Sequence, residues 1–470
     1  MIASLNDVDI LGADIQNAFL TAPCKEKVWL KAGPEFGPDQ GKILLVVRAL
    51  YGLKSASASF RSFMATYLDE LGFISCEADP DVWLRPATKN DGTEYYEYIL
   101  MYVDDILAIS HQAKDLLESI QKKNRVKFKN GKIEKPEIYL GGKLQEKEVN
   151  GINCWTISSQ DYLKSVIDNV ENFVKRSKFQ LSNKVKTPMD SGYIPELDET
   201  PELDENMHTY YQELIGMLRW ATELGRVDVL HEISVLSSYQ SNPREGHLEQ
   251  LLRIVAYIKR KPKLTLYMNP EFPQIDYSDF RVNRLDFEDY YRDANELYPR
   301  NMPKPRGKFV KTTAFVDASF GQNKKNRKSF TGYVIFVNRA PILWYSKSQK
   351  TVETSAFSAE HISLKTCVEA IEGLRFKLRM LGVPMRSPDC DEDEPTCVYC
   401  DNKTVIRNSM RVESTLEKKH SSVAYHFTRW CVAAGTITLS WIDGKNNIAD
   451  ALTKRLPEGV RDYLFGNWTY

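Results

Sequence analysis

The sequence predicts a multidomain protein that combines α+β and α/β architecture, and three observations support this fold class. The chain has 470 residues, which is more than one domain usually holds. Short apolar, β-favouring runs alternate with helical patterns near both ends of the chain, whereas amphipathic helices dominate between them. A stretch without a persistent period separates the helical part from the last part.

Shifts in composition and periodicity place the boundaries between these parts. Residues 1–150 alternate strand and helix patterns, and residues 151–270 are mainly helical. Residues 271–311 are acidic and Tyr-rich at first and then basic with several prolines, so we expect a partly disordered linker. A β-rich domain follows at residues 312–457, and residues 458–470 are a tail.

The elements of the first part follow from hydrophobic spacing. The stretch "DVDILGADIQNAFL" predicts a strand that runs into a helix, and "SASFRSFMATYLDELGF" predicts a helix with its apolar residues on one face. Two hairpins are expected, one in "EYYEYILMYVDDILAIS" and one in "EIYLGGKLQEKEVNGINCWTISS", because β-favouring runs flank the aspartates in the first and Gly pairs in the second.

The middle and last parts are predicted in the same way. "SQDYLKSVIDNVENF", "TYYQELIGMLRWATEL" and "HLEQLLRIVAYIKR" are amphipathic helices. In the last part, three strands ("TTAFVDASF", "TGYVIFV", "PILWYSKSQ") precede a long helix, "TSAFSAEHISLKTCVEAIEGLRFKLRMLG". A strand, a helix, a strand and the closing helix "NNIADALTKRL" complete it.

The composition excludes some classes of protein. Lys plus Arg and Asp plus Glu each number 63, so any contact with a polyanion must come from local patches such as "KKNRVKFKNGKIEK" (122–135) and "KKH" (418–420). An ordinary solvated charged face is the alternative for either patch. The eight cysteines are scattered, which fits a reducing compartment, and no apolar run approaches the ~20 residues of a membrane span. We expect an intracellular protein with no membrane partner.

Two adjacent aspartates interrupt the apolar run "YILMYVDDILAISH" (98–111). Burying carboxylates among such residues is costly unless they are paired or bind a metal. Asp14 ends another predicted strand, and if the two strands are neighbours, then Asp14, Asp104 and Asp105 converge. Divalent cations relieve the repulsion between carboxylates, and oxygen ligands favour Mg²⁺. A solvated acidic turn is the alternative.

Several ordered motifs resemble the reverse transcriptase and RNase H region of copia-type LTR retrotransposon Pol polyproteins, across residues 10–457. They are "ADIQNAFLTAPCKEKVWLKAGPEF", "LVVRALYGLKSASASFRSF", "ILMYVDDILAIS", "YLGGKL" and the long run that begins "YQELIGMLRWATELGRVDVLHEISVLSSYQSNP". The resemblance implies a reverse transcriptase palm in the first part, a helical thumb/connection region in the middle and an RNase H-like domain in the last part. It also implies RNA- and DNA-directed DNA synthesis, with cleavage of the RNA strand of RNA/DNA hybrids.

The same resemblance assigns roles in the first part. Asp14 and Asp104 would bind two Mg²⁺ (or Mn²⁺), with Asp105 assisting. Phe19 would pack under the sugar of the incoming nucleotide, for which plain core packing is the alternative, and Tyr102 would lie near the primer terminus. A primer grip, for which an ordinary hairpin is the alternative, would consist of Tyr139, Leu140, Gly141 and Gly142.

One position departs from the common pattern of these proteins. Where they often have "YGLKQ", this chain has "YGLKS" at residues 51–55. The usual glutamine contacts the incoming nucleotide, and Ser55 is too short to span the same distance. We expect a changed nucleotide affinity or fidelity, or compensation by the neighbouring Lys54.

Four further acids lie beside apolar segments of the last part, in an order of elements that resembles RNase H. One acid in a strand is usually a solvated edge residue, but four in this order indicate a second site for two Mg²⁺ that would position a water for attack on an RNA phosphate. These acids are Asp317, Glu360, Asp401 and Asp450. Three histidines are expected to be surface or packing residues, with proton transfer as the alternative: His361, His420 and His426.

The resemblance further implies partners and location. The partners are an RNA template, a DNA primer, RNA/DNA hybrids and deoxynucleoside triphosphates, with association with other products of the polyprotein. The location is the cytoplasm, within virus-like particles, or the nucleus. Related polymerases carry a basic fingers segment before the position of Asp14, whereas only 13 residues precede it here. The alternative is therefore a truncated, polymerase-dead remnant that binds nucleic acid and retains RNase H activity alone.

Overall fold

The computed structural model describes residues 1–124, 126–149, 151–275, 284–287, 289–416 and 422–466. Within these residues the chain has the predicted mixture of α and β structure, with three sheets of four or five strands that each pack against helices. No helix of this described part has the length and apolarity that crossing a membrane requires.

The first sheet carries the predicted hairpin with the paired aspartates. Its strands are antiparallel in the order β1-β7-β6-β5-β4. Strand β6 is buried on both faces, because Ile99 points towards helices α3 and α4 whereas Tyr98 packs near Met380 of the C-terminal part. The elements of this part are α1 Ile2–Asn6, β1 Asp9–Asp14, α2 Ala18–Thr21, β2 Trp29–Lys31, β3 Ile43–Leu45, α3 Ala56–Glu70, β4 Ile74–Cys76, β5 Asp79–Thr88, β6 Glu94–Tyr102, β7 Asp105–Ser110 and α4 Ala113–Asn124.

A second antiparallel sheet has the order β11-β10-β9-β8. Helices α5 to α8, called the helical unit below, are inserted between its neighbouring strands β10 and β11. Strand β9 pairs with β10 from Val149 opposite Ile152 onwards, so the predicted boundary between residues 150 and 151 falls within a hairpin. The pairing favours a boundary before β8, and the division into domains remains a prediction. The elements are β8 Ile138–Tyr139, β9 Gly142–Val149, β10 Ile152–Ser158, α5 Gln160–Lys175, α6 Glu205–Glu223, α7 Leu230–Ser237, α8 Glu245–Arg260 and β11 Leu266–Tyr267.

The helical unit forms because its helices are amphipathic and share one core. Helix α5 contributes Leu163, Val166 and Val170, whose spacing of three and four residues places them on one face. Helix α6 begins after Asp204, whose carboxylate accepts a hydrogen bond of 2.9 Å from the backbone N–H of Met207. The three helices predicted here from their spacing are therefore confirmed.

Part of the predicted linker is packed against the C-terminal unit, which consists of the elements from residue 312 onwards. The carboxylate of Glu296 lies 2.6 Å from the guanidinium of Arg375 and 2.6 Å from that of Arg379, and both arginines are buried. Arg306 forms a further ion pair with Glu94 of the first sheet. The expectation of disorder is thus wrong for this part of the segment, because long-range ion pairs hold it, and residues 276–283 and 288 lie outside the described residues.

The third sheet has the order β14-β13-β12-β15-β16, in which β12, β13 and β14 are antiparallel and β15 and β16 run parallel to β12. Both faces of its central strands are covered, which explains why β13 is buried along its whole length. The elements are β12 Thr312–Ser319, β13 Phe330–Val337, β14 Ala340–Ser348, α9 Ala356–Met380, β15 Thr396–Cys400, α10 Lys403–Met410, α11 Ser422–Ala433, β16 Ile437–Trp441 and α12 Glu458–Gly466.

Two expectations for the C-terminal end need correction. The predicted closing helix is only a short 3₁₀ helix, Ile448–Leu452. The predicted tail contains α12, whose Leu464 and Phe465 are buried against the third sheet. Helix α12 also carries the buried Arg461, which forms an ion pair of 2.8 Å with Glu232 of the helical unit, a contact that the sequence does not indicate.

Candidate active sites

The strands that carry Asp14 and Asp105 are neighbours, as the convergence of three carboxylates requires. Asp14 lies opposite Asp105 at the end of the β1–β7 pairing, and Asp104 lies in the turn between β6 and β7. The backbone N–H of Ile15 donates a hydrogen bond of 2.7 Å to the carbonyl of Asp104, which ties the turn to β1. Val103 has a φ of 54°, a conformation that β-branched residues rarely adopt, so the surroundings hold this turn in a strained shape.

The electrostatics of this first site depend on four charges. Burial, followed by the negative charges of Asp104 and Asp14, raises the pKa of Asp105, whereas Lys129 opposes the rise. The Nζ of Lys129 lies 3.1 Å from Oδ2 of Asp14. A groove of about 830 Å³ is lined by Asp14, Asp105, Lys129 and Tyr139. Neighbouring like charges of this kind favour a bound cation.

The carboxylates of the first site are nevertheless not arranged as a compact ligand set. Within the described residues, two groups of side chains have ligand atoms that all lie within 4.8 Å of one another, and both groups lie in the C-terminal unit. The structure therefore brings the backbones of Asp14, Asp104 and Asp105 together without closing their side chains around one point.

The predicted nucleotide-binding residues lie in two places. Phe19, Lys54 and Ser55 lie near the start of α3, and Tyr102 lies beside the aspartate turn. The ring of Phe19 lies 4.7 Å from the ring of Tyr51 and is partly buried against the core under the first sheet. Lys54 is exposed, and Ser55 is the residue before α3, with no capping hydrogen bond from its side chain. Tyr102 is exposed beside the aspartate turn and pairs with Asp105. Their roles remain predictions.

The "YLGG" turn is a tight hairpin. Tyr139 pairs with Gly142, and the two residues between them, Leu140 and Gly141, have φ values of 48° and 84°, as in a type I′ turn. A Cβ on Gly141 would lie 3.3 Å from Nε1 of Trp220, so glycine also lets α6 approach. Burial, with the charge of Asp105 as the next cause, raises the pKa of Tyr139 to about 12, which connects this turn to the aspartates. A role in gripping a primer remains a prediction.

The four acids of the C-terminal unit converge from four elements. Asp317 lies in the central strand β12 and is fully buried, and Glu360 lies in the second turn of α9, which packs across that strand. Asp401 follows β15, the parallel neighbour of β12, and Asp450 lies in the 3₁₀ helix. Ligand atoms of Asp317, Asp401 and Asp450 all lie within 4.8 Å of one another.

Two donors that the sequence analysis missed fix this cluster. The hydroxyl of Thr453 donates a short hydrogen bond to Oδ2 of Asp317. The Nζ of Lys454 lies 2.7 Å from Oδ1 of Asp450. The spacing of four residues between Asp450 and Lys454, which allows contact on a helix, was the available signal. Cys400, treated in the sequence only as one of eight scattered cysteines, lies with Glu360 and Asp401 in a second group of ligand atoms within 4.8 Å.

Burial and repulsion by neighbouring carboxylates shift the pKa values of Asp450, Asp401 and Glu360. Burial, followed by the charge of Asp317, raises the pKa of Asp450 to about 7. The same two causes raise the pKa of Asp401, and they raise that of Glu360 well above its ordinary value. A proton or a bound cation therefore stabilises each of these three carboxyl groups in this site.

The residues present fit a divalent cation. Oε2 of Glu360 is buried and has no hydrogen-bond partner in the described part of the chain, although a buried carboxylate oxygen requires one. Carboxylate oxygens are the ligands that Mg²⁺ and Mn²⁺ prefer. The cluster thus combines suitable donors with an unmet electrostatic need.

The basic patches and histidines have mixed outcomes. In the first patch, Lys129 approaches Asp14, whereas Arg125 and the whole patch 418–420 lie outside the described residues, as does His420. His361 is buried, with its Nε2 3.2 Å from the hydroxyl of Thr428, and His426 is hydrogen-bonded to the hydroxyl of Tyr291. These contacts agree with packing roles.

Comparison with known sequences shows which proteins this chain is similar to. Residues 1–188 match the family model described as reverse transcriptase (RNA-dependent DNA polymerase). The chain is 24% identical over 446 residues to the retrovirus-related Pol polyprotein from transposon RE1 of Arabidopsis thaliana, which covers 94% of this chain. It is 23% identical over 463 residues to that from transposon TNT 1-94 of Nicotiana tabacum, with 97% of this chain covered. Over most of its length, the chain is similar to Pol polyproteins of copia-type retrotransposons.

The chain spans 26% of the RE1 polyprotein and 30% of the TNT 1-94 polyprotein. It also matches the full length of a putative transposon Ty5-1 protein of Saccharomyces cerevisiae, at 25% identity over 76% of this chain. These sequence matches extend beyond the reverse transcriptase model into the C-terminal unit.

Solved structures are similar to this chain as well. One is a foamy viral protease-reverse transcriptase in complex with RNA/DNA hybrid, with 12% identity and a TM-score of 0.30. The match covers 96% of this chain and 68% of that one. Another is LC11-RNase H1 in complex with RNA/DNA hybrid, at 16% identity and a TM-score of 0.24, covering 30% of this chain and 94% of that one. The likeness of this chain to reverse transcriptases and retrotransposon polyproteins rests on the sequence matches.

Proposed function

We propose that this chain is the reverse transcriptase and RNase H portion of a copia-type Pol polyprotein. It would extend DNA primers on RNA and DNA templates, and it would cut the RNA strand of RNA/DNA hybrids. The observation that carries the proposal is the presence of two acid sites in one chain that is similar to Pol polyproteins. One site lies at the Asp14–Asp105 strand pair, and the other consists of the four acids around Asp317. Each site is proposed to bind two Mg²⁺ or Mn²⁺ ions.

The acids would act by holding cations and orienting the reacting groups. Divalent cations bound at such carboxylates activate the attacking oxygen and stabilise the leaving oxygen in phosphoryl transfer. In the C-terminal site, Thr453 holds the carboxylate of Asp317 in one orientation by donating to it, and Lys454 holds that of Asp450. In the first site, Lys129 supplies a positive charge beside Asp14 that suits the phosphates of a nucleotide.

A second candidate function is RNase H activity alone. The specific observation in its favour is that the acids of the C-terminal unit form close ligand groups, whereas the three aspartates of the first site do not among the described residues. Closure of the first site around a template and a nucleotide would remove this difference. A site that cannot close would leave a polymerase-dead protein that binds nucleic acid.

One experiment separates these candidates. The 470-residue chain is given a primed RNA template with Mg²⁺ and deoxynucleoside triphosphates, and in parallel an RNA/DNA hybrid. We expect extension that is lost in Asp104→Asn and hybrid cleavage that is lost in Asp317→Asn, each variant retaining the other activity. Cleavage without extension supports the second candidate, and the absence of both activities overturns both.

The partners and location follow from the same proposal. The partners are an RNA template, a DNA primer, RNA/DNA hybrids and deoxynucleoside triphosphates, and association with other products of the polyprotein is included. The proposed location is the cytoplasm, within virus-like particles, or the nucleus. Co-sedimentation of the chain with packaged element RNA would support the particle location, and its recovery free of RNA would contradict it.

A further inference from the structure

We propose that a groove between the helical unit and the loop after β12 binds the phosphates of a nucleic-acid strand beside the C-terminal acid site. The loop, residues 320–329, is called the cationic loop below. The inference rests on the proposed function in one respect, because that function supplies the RNA/DNA hybrid whose backbone would occupy the groove.

The groove has walls from two units of the fold. It has a volume of about 790 Å³, and Ser191 and Tyr239 line it from the helical unit. Lys324 and Lys325 line it from the cationic loop, and Lys454 lines it as well. Since Lys454 also contacts Asp450, the groove leads directly to the acid cluster.

The cationic loop carries four positive charges, and Glu196 supplies a negative charge to the same groove. Residues 321–328 contain four cations and no acid. Within the described residues, none of the four forms an ion pair with an Asp or Glu side chain, although many other cations of this chain do. They are Lys324, Lys325, Arg327 and Lys328. Adjacent unpaired cations beside a groove are suited to a polyanion, and flexible lysines contact phosphates without reading sequence.

Hydrogen bonds from Asn323 and from Glu196 order the backbone of the loop, so the positions from which these cations extend are fixed. Oδ1 of Asn323 accepts hydrogen bonds from the backbone N–H groups of Lys325 (3.0 Å) and Asn326 (2.9 Å). The backbone N–H of Lys324 donates to Oε1 of Glu196 in the helical unit (2.7 Å), which leaves the ammonium group of Lys324 uninvolved in that contact. A loop organised before binding loses less entropy when a ligand arrives.

An independent observation concerns Arg455. Arg455 lines the groove, and one of its terminal nitrogens donates to the carbonyl of Tyr193. Its Nε is buried and has no hydrogen-bond partner in the described part of the chain. A buried donor without an acceptor is costly, and a phosphate oxygen is an acceptor that matches a guanidinium well.

The test measures hybrid binding without cleavage. A fluorescently labelled RNA/DNA hybrid is titrated with the full chain in EDTA at several salt concentrations, and fluorescence anisotropy gives Kd. The variant Lys324→Gln/Lys325→Gln is compared with Lys184→Gln/Lys186→Gln, which makes the same change of charge at two exposed lysines outside the groove. Thermal unfolding checks that both variants are folded.

We expect the groove variant to bind about 3–30-fold more weakly, and its plot of log Kd against log salt to lose about one to two units of slope, because each lost phosphate contact removes close to one unit. The control should stay near the wild type. An unchanged groove variant, or an equal loss in both variants, overturns the proposal. Hybrid cleavage by the wild type in Mg²⁺ tests the proposed function separately, since groove-dependent binding without cleavage would contradict that function alone.

Discussion

The Nζ of Lys454 lies 2.7 Å from Oδ1 of Asp450 and 3.4 Å from Oδ2 of Asp317, so a cation of the chain itself stands between two candidate metal ligands. We expect Lys454→Met to bind Mn²⁺ about tenfold more tightly, because this charge no longer opposes the ion. Isothermal titration calorimetry measures the affinity, with Lys445→Met as an exposed control. An affinity that stays the same or falls in Lys454→Met would contradict the expectation.

The raised pKa of Asp450, about 7 against 3.8 in the unfolded chain, predicts a pH dependence of stability. Between these pH values the folded protein holds a proton that the unfolded chain has released, so the free energy of unfolding falls as pH rises. In EDTA we expect it to be about 1–2 kcal/mol lower at pH 7.5 than at pH 5, after allowance for solvent screening. Urea titrations test this, and Asp450→Asn should flatten the dependence. A stability that rises with pH in EDTA would refute it.

The buried pair of Arg461 and Glu232 links α12 to the helical unit, with both side chains almost fully buried. Arg461→Met should lower the free energy of unfolding by about 3–5 kcal/mol, because it leaves a buried carboxyl without its partner. Lys42→Met removes an exposed ion pair with Asp39 and should cost less than about 1 kcal/mol. Denaturant unfolding measures both, and similar losses would show that the buried pair does not hold the two elements together.

Gly141 and Gly151 both occupy hairpin turns at positive φ, 84° and 80°. An alanine at either position is strained by roughly 1–2 kcal/mol, but only at Gly141 would the new Cβ press on Trp220. If the "YLGG" turn positions a primer, Gly141→Ala should reduce primer extension several-fold while hybrid cleavage is retained, and Gly151→Ala should affect neither activity. Extension by Gly141→Ala at the rate of Gly151→Ala would remove the primer-grip role.

Phe19 is the candidate for discriminating between sugars. The variant Phe19→Ala should insert ribonucleotides more readily, by roughly tenfold or more in kcat/KM, because its ring would no longer exclude a 2′-hydroxyl. Phe63→Ala is the control, since Phe63 packs on the same core and contacts Tyr67 instead of Tyr51. Single-nucleotide insertion assays compare the two sugars, and unchanged selection in Phe19→Ala means that the ring only packs in the core.

Local patterns predicted the features that are set locally. The β-favouring runs around Asp104 and Asp105 predicted the β6–β7 hairpin, and "DVDILGADIQNAFL" predicted the strand that ends at Asp14, whereas the pairing of that strand with β7 was only assumed. The positions of the four C-terminal acids in their elements were predicted in the same way, except that a short 3₁₀ helix carries Asp450.

Features that depend on distant partners could not be predicted from the sequence. The segment around Glu296 has no period of its own, and its order comes from ion pairs with arginines about 80 residues away on α9. Helix α12 pairs in the same way with Glu232, and nothing near Arg461 in the sequence indicates that partner. Composition suggests disorder for such segments because it cannot register contacts made across the fold.

The helical unit leaves the second sheet after β10 and returns at β11, the strand beside it. Its two ends are therefore held one strand spacing apart, about 5 Å. Two attachment points so close together give the unit little freedom to shift along this sheet, and a rotation of the unit would also have to break the buried contact between Glu232 and Arg461.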